Sequence, residues 1–298
     1  MAGRGVMIGG AMGLAVLFFA TWTFLPLGYA LFRSFYDWHP VIPNPDFLGF
    51  ANYREALVGE SLLWLTSKNT LVFTVVNVVV GTCLCLGVAI LVNAVTRRTW
   101  ATVFRVSYFV PYVASLAAVA LVWQFIYQPR FGVLNSTLRL IAETLGLPAP
   151  PEIGWLTRPQ WAMTAVIIMT LWKNLGFRMV IFLSGLQDIP EALYDAARID
   201  GAGRWAQIWH VTVPLLAPTL MLTTVMSTIG SLQFFGPIFM MTRGGPMNST
   251  LTVVYLIYRQ AFELFRFGYA SAISFLLFAV ILVITVLQTK VLQPTFEY

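Results

Sequence analysis

The chain has 298 residues, of which 58% are hydrophobic and only 10% charged, with a formal net charge of +6 and a mean hydropathy of +0.78. A soluble domain carries about 25% charged residues, so a water-soluble enzyme or binding module is excluded. The scattered basic residues form no dense tract of the kind a phosphate backbone attracts, which argues against a nucleic-acid partner, and continuous apolar runs exclude a transmembrane barrel.

What remains is an all-α integral membrane protein, read as one transmembrane domain over residues 1–298 in contact with lipid. Six spans are predicted, at about 8–31, 70–94, 103–127, 162–183, 213–240 and 269–289. The first follows Arg4. Its apolar stretch is too long for a signal-peptide core and no small-residue cleavage site follows, so it reads as a retained helix. Cys83 and Cys85 lie inside the second run and read as small core residues, not as a disulfide or a metal site. Pro26, Pro111, Pro214, Pro218 and Pro237 fall in or at the ends of spans, which bundled membrane helices tolerate.

The short loop 95–102 carries Arg97 and Arg98, with Arg105 just beyond. The positive-inside rule makes this loop cytoplasmic. That assignment puts both termini and the 187–212 segment inside, and the 33–69, 128–161 and 241–268 loops outside. Seven Lys or Arg then lie inside and nine outside on longer loops, so orientation rests on the short loop rather than on the total.

Polar groups inside spans are costly and usually face a cavity or a partner. Thr170, Asn174 and Phe177 follow i, i+4, i+7 on the fourth span, and Ser227, Ser231 and Phe234 repeat that spacing on the fifth, with Gln233 beside them. Each set puts a hydroxyl or amide next to an aromatic ring, which suits the hydroxyls and flat C–H faces of a sugar. Ser and Thr also serve simply to pack membrane helices together. Lys173 and Arg178 are the two charges of the fourth span. They either snorkel or pair within the bundle, or hold an anionic substrate such as a glycerol-phosphate ester.

Between the fourth and fifth spans lies a charged insert, about 187–212. Asp188, Pro190 and Glu191 form a capping-box-like start, which predicts a short helix from Ile189 to about Asp200. Ala192, Ala196 and Ile199 share a stripe, with Leu193 and Ala197 beside it. Gly201 then breaks or turns the helix. A second piece, Arg204 to His210, leads to Pro214 at the start of the fifth span. An interfacial helix lying on lipid is the plain alternative, but the alanine-rich face lacks the basic and bulky sides such helices carry.

Asp195-Ala196-Ala197, Gly201, and then Val211, Val213 and Pro214 resemble the EAA loop of ABC importer permeases. Asp195, Val211 and Val213 stand where the commonest form has Glu, Ile and Leu. The flanking Leu186-Gln187-Asp188-Ile189-Pro190 and Ile199-Asp200-Gly201-Ala202 are similar to the carbohydrate-uptake, maltose-type subfamily. So are Phe109-Val110-Pro111, Phe131-Gly132 with Asn135, Trp172-Lys173 with Leu175-Gly176-Phe177, Thr242-Arg243-Gly244-Gly245-Pro246 and Phe267-Gly268-Tyr269-Ala270. The Thr-x-Gly-Gly-Pro turn resembles the first of the two permeases in such systems.

The resemblance implies a permease subunit of an ATP-driven importer in a bacterial or archaeal plasma membrane. It implies a heterodimer with a second homologous permease, a dimer of ATPase subunits, and an extracytoplasmic binding protein that delivers a di- or oligosaccharide. It assigns coupling to the ATPase to Glu191, Asp195, Ala196, Ala197, Asp200, Gly201 and Pro214. It places the substrate path at Thr170, Lys173, Asn174, Phe177, Ser227, Ser231, Gln233 and Phe234. ATP and magnesium belong to the ATPase partners, with no cofactor on this chain. A phosphate-cradling loop needs Gly-x4-Gly-Lys-Ser/Thr, and none of the three lysines, Lys68, Lys173 and Lys290, sits in that pattern. A secondary carrier would be expected to show a repeated half, and a membrane enzyme a convergent His/Asp/Glu set. Neither is visible.

Overall fold

The computed structural model describes residues 12–41, 44–59 and 61–292, so positions 8–11 of the first expected span, Arg4 and both chain ends lie outside the described residues. The described residues form helices and loops, with one isolated bridge, Tyr36 to Phe47, and no strand. In chain order the helices are α1 (Met12–Arg33), α2 (Ala51–Arg54), α3 (Ser61–Asn93), α4 (Arg98–Val113), α5 (Leu116–Ile126) and α6 (Val133–Thr144). Then come α7 (Pro159–Gln187), α8 (Glu191–Ile199), α9 (Arg204–Leu215), α10 (Ala217–Leu232), α11 (Gly236–Met241), α12 (Val253–Tyr258) and α13 (Phe267–Leu292).

Among the described residues, α1, α3, α7 and α13 are each long and apolar enough to cross a bilayer. Two bent pairs, α4 with α5 and α9 with α10, bring the number to six if each pair is one span. The 33-residue α3 reaches about 50 Å at 1.5 Å per residue, well beyond a hydrocarbon core of about 30 Å.

Two expected spans are not single helices. The third, 103–127, bends by 98° between α4 and α5. Ala114 and Ser115 at the break are extended, with ψ of 142° and 133°. Pro111 inside α4 has no N–H to give to the preceding turn, and the carbonyls freed nearby find another donor, described below. The fifth, 213–240, bends by 69° between α9 and α10, then leaves helical geometry at Gln233–Phe235 before α11. Pro214 and Pro218 remove two donors on either side of Leu216, and Pro218 and Pro237 each sit in the first turn of a new helix, where the missing N–H costs nothing.

The chain divides into two compact units, Met1–Trp64 with Leu256–Val280 and Leu65–Tyr255 with Ile281–Tyr298. In the first, Asn52 Nδ2 donates to the carbonyls of Ser34 at 2.8 Å and Tyr36 at 3.1 Å, and Arg266 grips Glu55 through two bonds of 2.7 and 2.8 Å. In the second, Cys85, Ala89, Val92, Met179, Phe182, Leu183, Leu186 and Leu216 form one core cluster. Tyr127, Trp155, Ala165, Met169 and Met241 anchor another. Asn135 links that second cluster: it accepts from Trp155 Nε1 at 2.9 Å and donates to the carbonyls of Pro129 and Ile153. Cys85 is a core residue as expected. Cys83 is exposed, because two positions along a helix point to different faces.

Candidate substrate path and coupling loop

In the second unit α7 packs closely on α4. A Cβ added at Gly176 would stand 1.9 Å from the Tyr108 carbonyl oxygen, so only glycine permits this approach of backbone to backbone. The close crossing sets Phe177 against Tyr112, with rings stacked at 4.6 Å and 11°. Opposite, Phe234 leaves the end of α10 and stacks on Phe73 at 3.8 Å. Its carbonyl, freed by the break after α10, accepts from Thr252 Oγ1 at 3.0 Å.

These elements wall a cavity of about 270 Å3, close to the lower end of the roughly 300–1,000 Å3 of small-molecule sites. Six of the eight residues expected on the path line it: Thr170, Asn174, Phe177, Ser227, Ser231 and Phe234. Thr170, Ser227 and Ser231 are buried, and Asn174 and Phe177 half-buried. Thr170 gives its proton to the Val166 carbonyl at 2.8 Å, so its hydroxyl offers a ligand only lone pairs. Ser231 Oγ accepts from Asn77 Nδ2 at 2.7 Å and keeps its own proton for another acceptor.

The other two expected path residues stand elsewhere. Gln233 is exposed and outside the cavity lining. It terminates α10, so a helical register no longer holds there. The Lys173 ammonium donates to the carbonyls of Pro111 at 3.3 Å, Tyr112 at 2.9 Å and Ala114 at 3.0 Å. All three of its N–H groups are thereby used on the broken end of α4, where orphan carbonyls and the negative end of the helix dipole both favour a cation. Lys173 is thus a cap for the 98° bend, and it does not line the cavity.

Asn77, Tyr112, Arg178, Ile181, Thr223, Met226 and Gly230 complete the lining, and of these the sequence singles out only Arg178. A signal for Asn77 exists: Thr66, Thr70, Thr74 and Asn77 step along α3 at i, i+4, i+8, i+11, and all four are buried. They form the same hydroxyl-and-amide stripe seen on α7 and α10.

The insert between α7 and α10 folds as an elbow. The α8 helix begins at Glu191 and ends at Ile199, shorter at both ends than expected, and no side chain caps its start. The capping box is absent because Asp188 belongs to the C-terminal end of α7, and Pro190, with ψ of 130°, turns the chain between the two helices. The C-terminal end is closed by backbone instead. Ala202 N–H donates to the Ala197 carbonyl at 2.8 Å and Gly201 N–H to the Arg198 carbonyl at 3.1 Å, with Gly201 at φ +81°. This pairing is the Schellman closure, which needs a left-handed residue at the position Gly201 holds.

Tyr194 OH meets Thr212 Oγ1 at 3.0 Å and Gln207 Nε2 donates to the Ala202 carbonyl at 2.8 Å, tying α8 to α9. Asp195 pairs with Arg198 on the exposed side. Glu191, Asp195, Ala196, Asp200, Gly201 and Pro214 are exposed and Ala197 half-buried. Ile199, Trp205 and Trp209 are exposed too, at 86%, 75% and 63%. Pro214 lies inside α9, two residues beyond the wide turn Ile208–Thr212, rather than at the start of a span.

A cavity lined by polar side chains, set between helices long and apolar enough to cross a bilayer, marks a membrane transport subunit. The comparisons agree. The family model described as binding-protein-dependent transport system inner membrane component matches residues 69–296, and the chain belongs to that family: it is a permease subunit of an ABC importer. The lactose transport system permease LacF of Rhizobium radiobacter is 36% identical over 235 residues, covering 78% of this chain and 76% of that protein. The sulfoquinovosyl glycerol transport permease SmoG of Agrobacterium fabrum is 31% identical over 269 residues, covering 90% and 84%. The trehalose/maltose permease MalF of Thermococcus litoralis is 32% identical over 250 residues, covering 84% and 81%. A chain of a bacterial alginate ABC transporter, solved with an alginate pentasaccharide-bound periplasmic protein, has the same fold, with a TM-score of 0.83 at 22% identity over 97% of this chain and 95% of that one.

Proposed function

We propose that this subunit passes a di- or oligosaccharide through the cavity between α3, α7 and α10. Supporting this, Asn174, Ser231, Phe177 and Phe234 line one space, with hydrogen-bonding groups beside flat rings. Sugar importers recur among the relatives, and they favour this reading over a secondary carrier. A second permease supplies the facing half of the path, and an extracytoplasmic binding protein delivers the sugar. The chain works as one transmembrane domain with both termini in the cytoplasm, as the Arg97–Arg98 loop implies.

Power comes from a pair of ATPase subunits, which hold the ATP and magnesium. They act through the elbow formed by α8 and α9. Glu191, Asp195, Ala196, Ala197 and Asp200 form the docking helix, Gly201 its pivot, and Pro214 the joint toward α10. The exposed Ile199, Trp205 and Trp209 are the apolar groups that a soluble partner would cover there.

Asn174→Ala and Ser231→Ala test the path. In the assembled transporter, each should weaken sugar import by about tenfold, the loss of one or two hydrogen bonds, while ATPase subunits still bind. Unchanged import and unchanged substrate profile in both variants would place the path elsewhere.

A further inference from the structure

One cation, Arg178, stands in the cavity wall. It is 9% exposed. Its Nη1 donates to the Asn77 backbone carbonyl at 3.2 Å, and among the described residues that is its one hydrogen bond. A guanidinium has five N–H donors, so most of its capacity faces no protein acceptor. The ion pairs among the described residues engage Arg139, Arg198, Arg259 and Arg266 instead. Neither α3, α4, α7 nor α10, the helices that wall the cavity, carries a single Asp or Glu. A buried charge without a counter-charge is costly, and an intramembrane charge normally faces its partner or a path.

A second, independent feature lies beside it. Asn77 is 3% exposed, its Nδ2 is committed to Ser231, and its Oδ1 is buried with no partner. That oxygen can only accept. The wall therefore offers an unpaired cation and, on the residue Arg178 touches, an unpaired acceptor for a hydroxyl. A simple inorganic anion would satisfy the first alone. A neutral sugar would satisfy the second alone.

We propose that Arg178 and Asn77 form a subsite for an acidic sugar, with a carboxylate or sulfonate on the open edge of the guanidinium and a neighbouring hydroxyl donating to Asn77 Oδ1. This deepens the sugar-path reading and rests on it. A structural role, in which Arg178 only ties α7 to α3, predicts no charge preference.

The test uses the complex of this chain with its partner permease and ATPase subunits, without the delivery protein, so that selection upstream plays no part. Equilibrium dialysis measures binding of digalacturonate (a carboxylate), sulfoquinovosyl glycerol (a sulfonate) and lactose (neutral). At least one acidic probe should bind about tenfold or more tightly than lactose, and the two arms tell carboxylate from sulfonate. Arg178→Gln should erase that advantage, bringing the acidic probe to within about twofold of lactose. Arg178→Lys, which keeps the charge and loses the fork, should retain part of it. Should Arg178→Gln fail to assemble, the wild-type comparison and Arg178→Lys decide alone. Equal binding of all probes to wild type overturns the proposal, as does an acidic preference that survives Arg178→Gln. If lactose binds and Asn174→Ala weakens it while no acidic preference exists, the path stands and only the acidic subsite falls. If no probe binds and Asn174→Ala leaves import intact, the path reading has failed with it.

Discussion

The cavity walled by α3, α7 and α10 and the elbow between α8 and α9 are opposite in what they hide. The cavity buries hydroxyls, amides and a guanidinium among apolar helices: Thr170, Ser227 and Ser231 are all under 7% exposed. The elbow leaves Ile199, at the end of α8, and Trp205, on α9, in the open. Burying polar groups inside a membrane costs several kcal/mol unless they are hydrogen-bonded, and Thr170 and Ser231 meet that need within the protein. The lesson is that one region is organised around buried polar groups and the other around exposed apolar ones, so a change in each is read by a different assay.

The two regions also differ in how they are held. The cavity is fixed by side chains and close packing, the elbow mainly by backbone closure and a few exposed bonds. Their responses to mutation should differ accordingly. The largest effect is expected at Gly176, where any side chain meets the Tyr108 carbonyl. Gly176→Val should cost about 3 kcal/mol or prevent accumulation altogether, read from thermal denaturation of the purified complex. Next is Lys173→Met, which leaves the carbonyls of Pro111, Tyr112 and Ala114 without their donor. It should destabilise by about 2 kcal/mol and leave the ratio of sugars imported unchanged. A changed sugar profile with full stability would return Lys173 to the path. The smallest effect is expected at Asp195, whose pair with Arg198 is exposed. Asp195→Ala should change stability by less than about 1 kcal/mol, and any loss it causes should appear in ATPase docking, measured by co-purification.

The same contrast explains what was legible in the sequence. Hydrophobic runs marked the long helices, since length and apolarity alone decide whether a helix can span. The i, i+4, i+7 stripes on α7 and α10 marked most of the cavity, because one face of a regular helix is fixed by its period. The readings that missed involve places where the period stops. Gln233 follows the end of α10. The break at Ala114–Ser115 has no glycine or proline of its own, and is held open by Lys173, 59 residues away from Ala114. Lys173 and Arg178 look alike in sequence, and only the neighbours of each in space separate a helix cap from a cavity cation. At the elbow, Gly201 announced its left-handed turn because few other residues adopt one. Asp188 and Glu191 gave a capping-box pattern, but Pro190 between them ended one helix and began another.

The central claim is that force enters through the elbow and solute passes through the cavity, so the two can be damaged separately. Gly201→Val bears on it most directly, because a β-branched residue at φ +81° costs about 1–2 kcal/mol and opposes the closure of α8. In proteoliposomes holding the full transporter, the measurement is sugar imported per ATP hydrolysed. The ratio should fall at least about tenfold for Gly201→Val and hold near the wild-type value for Ser231→Ala, whose defect is in sugar affinity. A Gly201→Val transporter that imports sugar at the wild-type ratio would contradict the account.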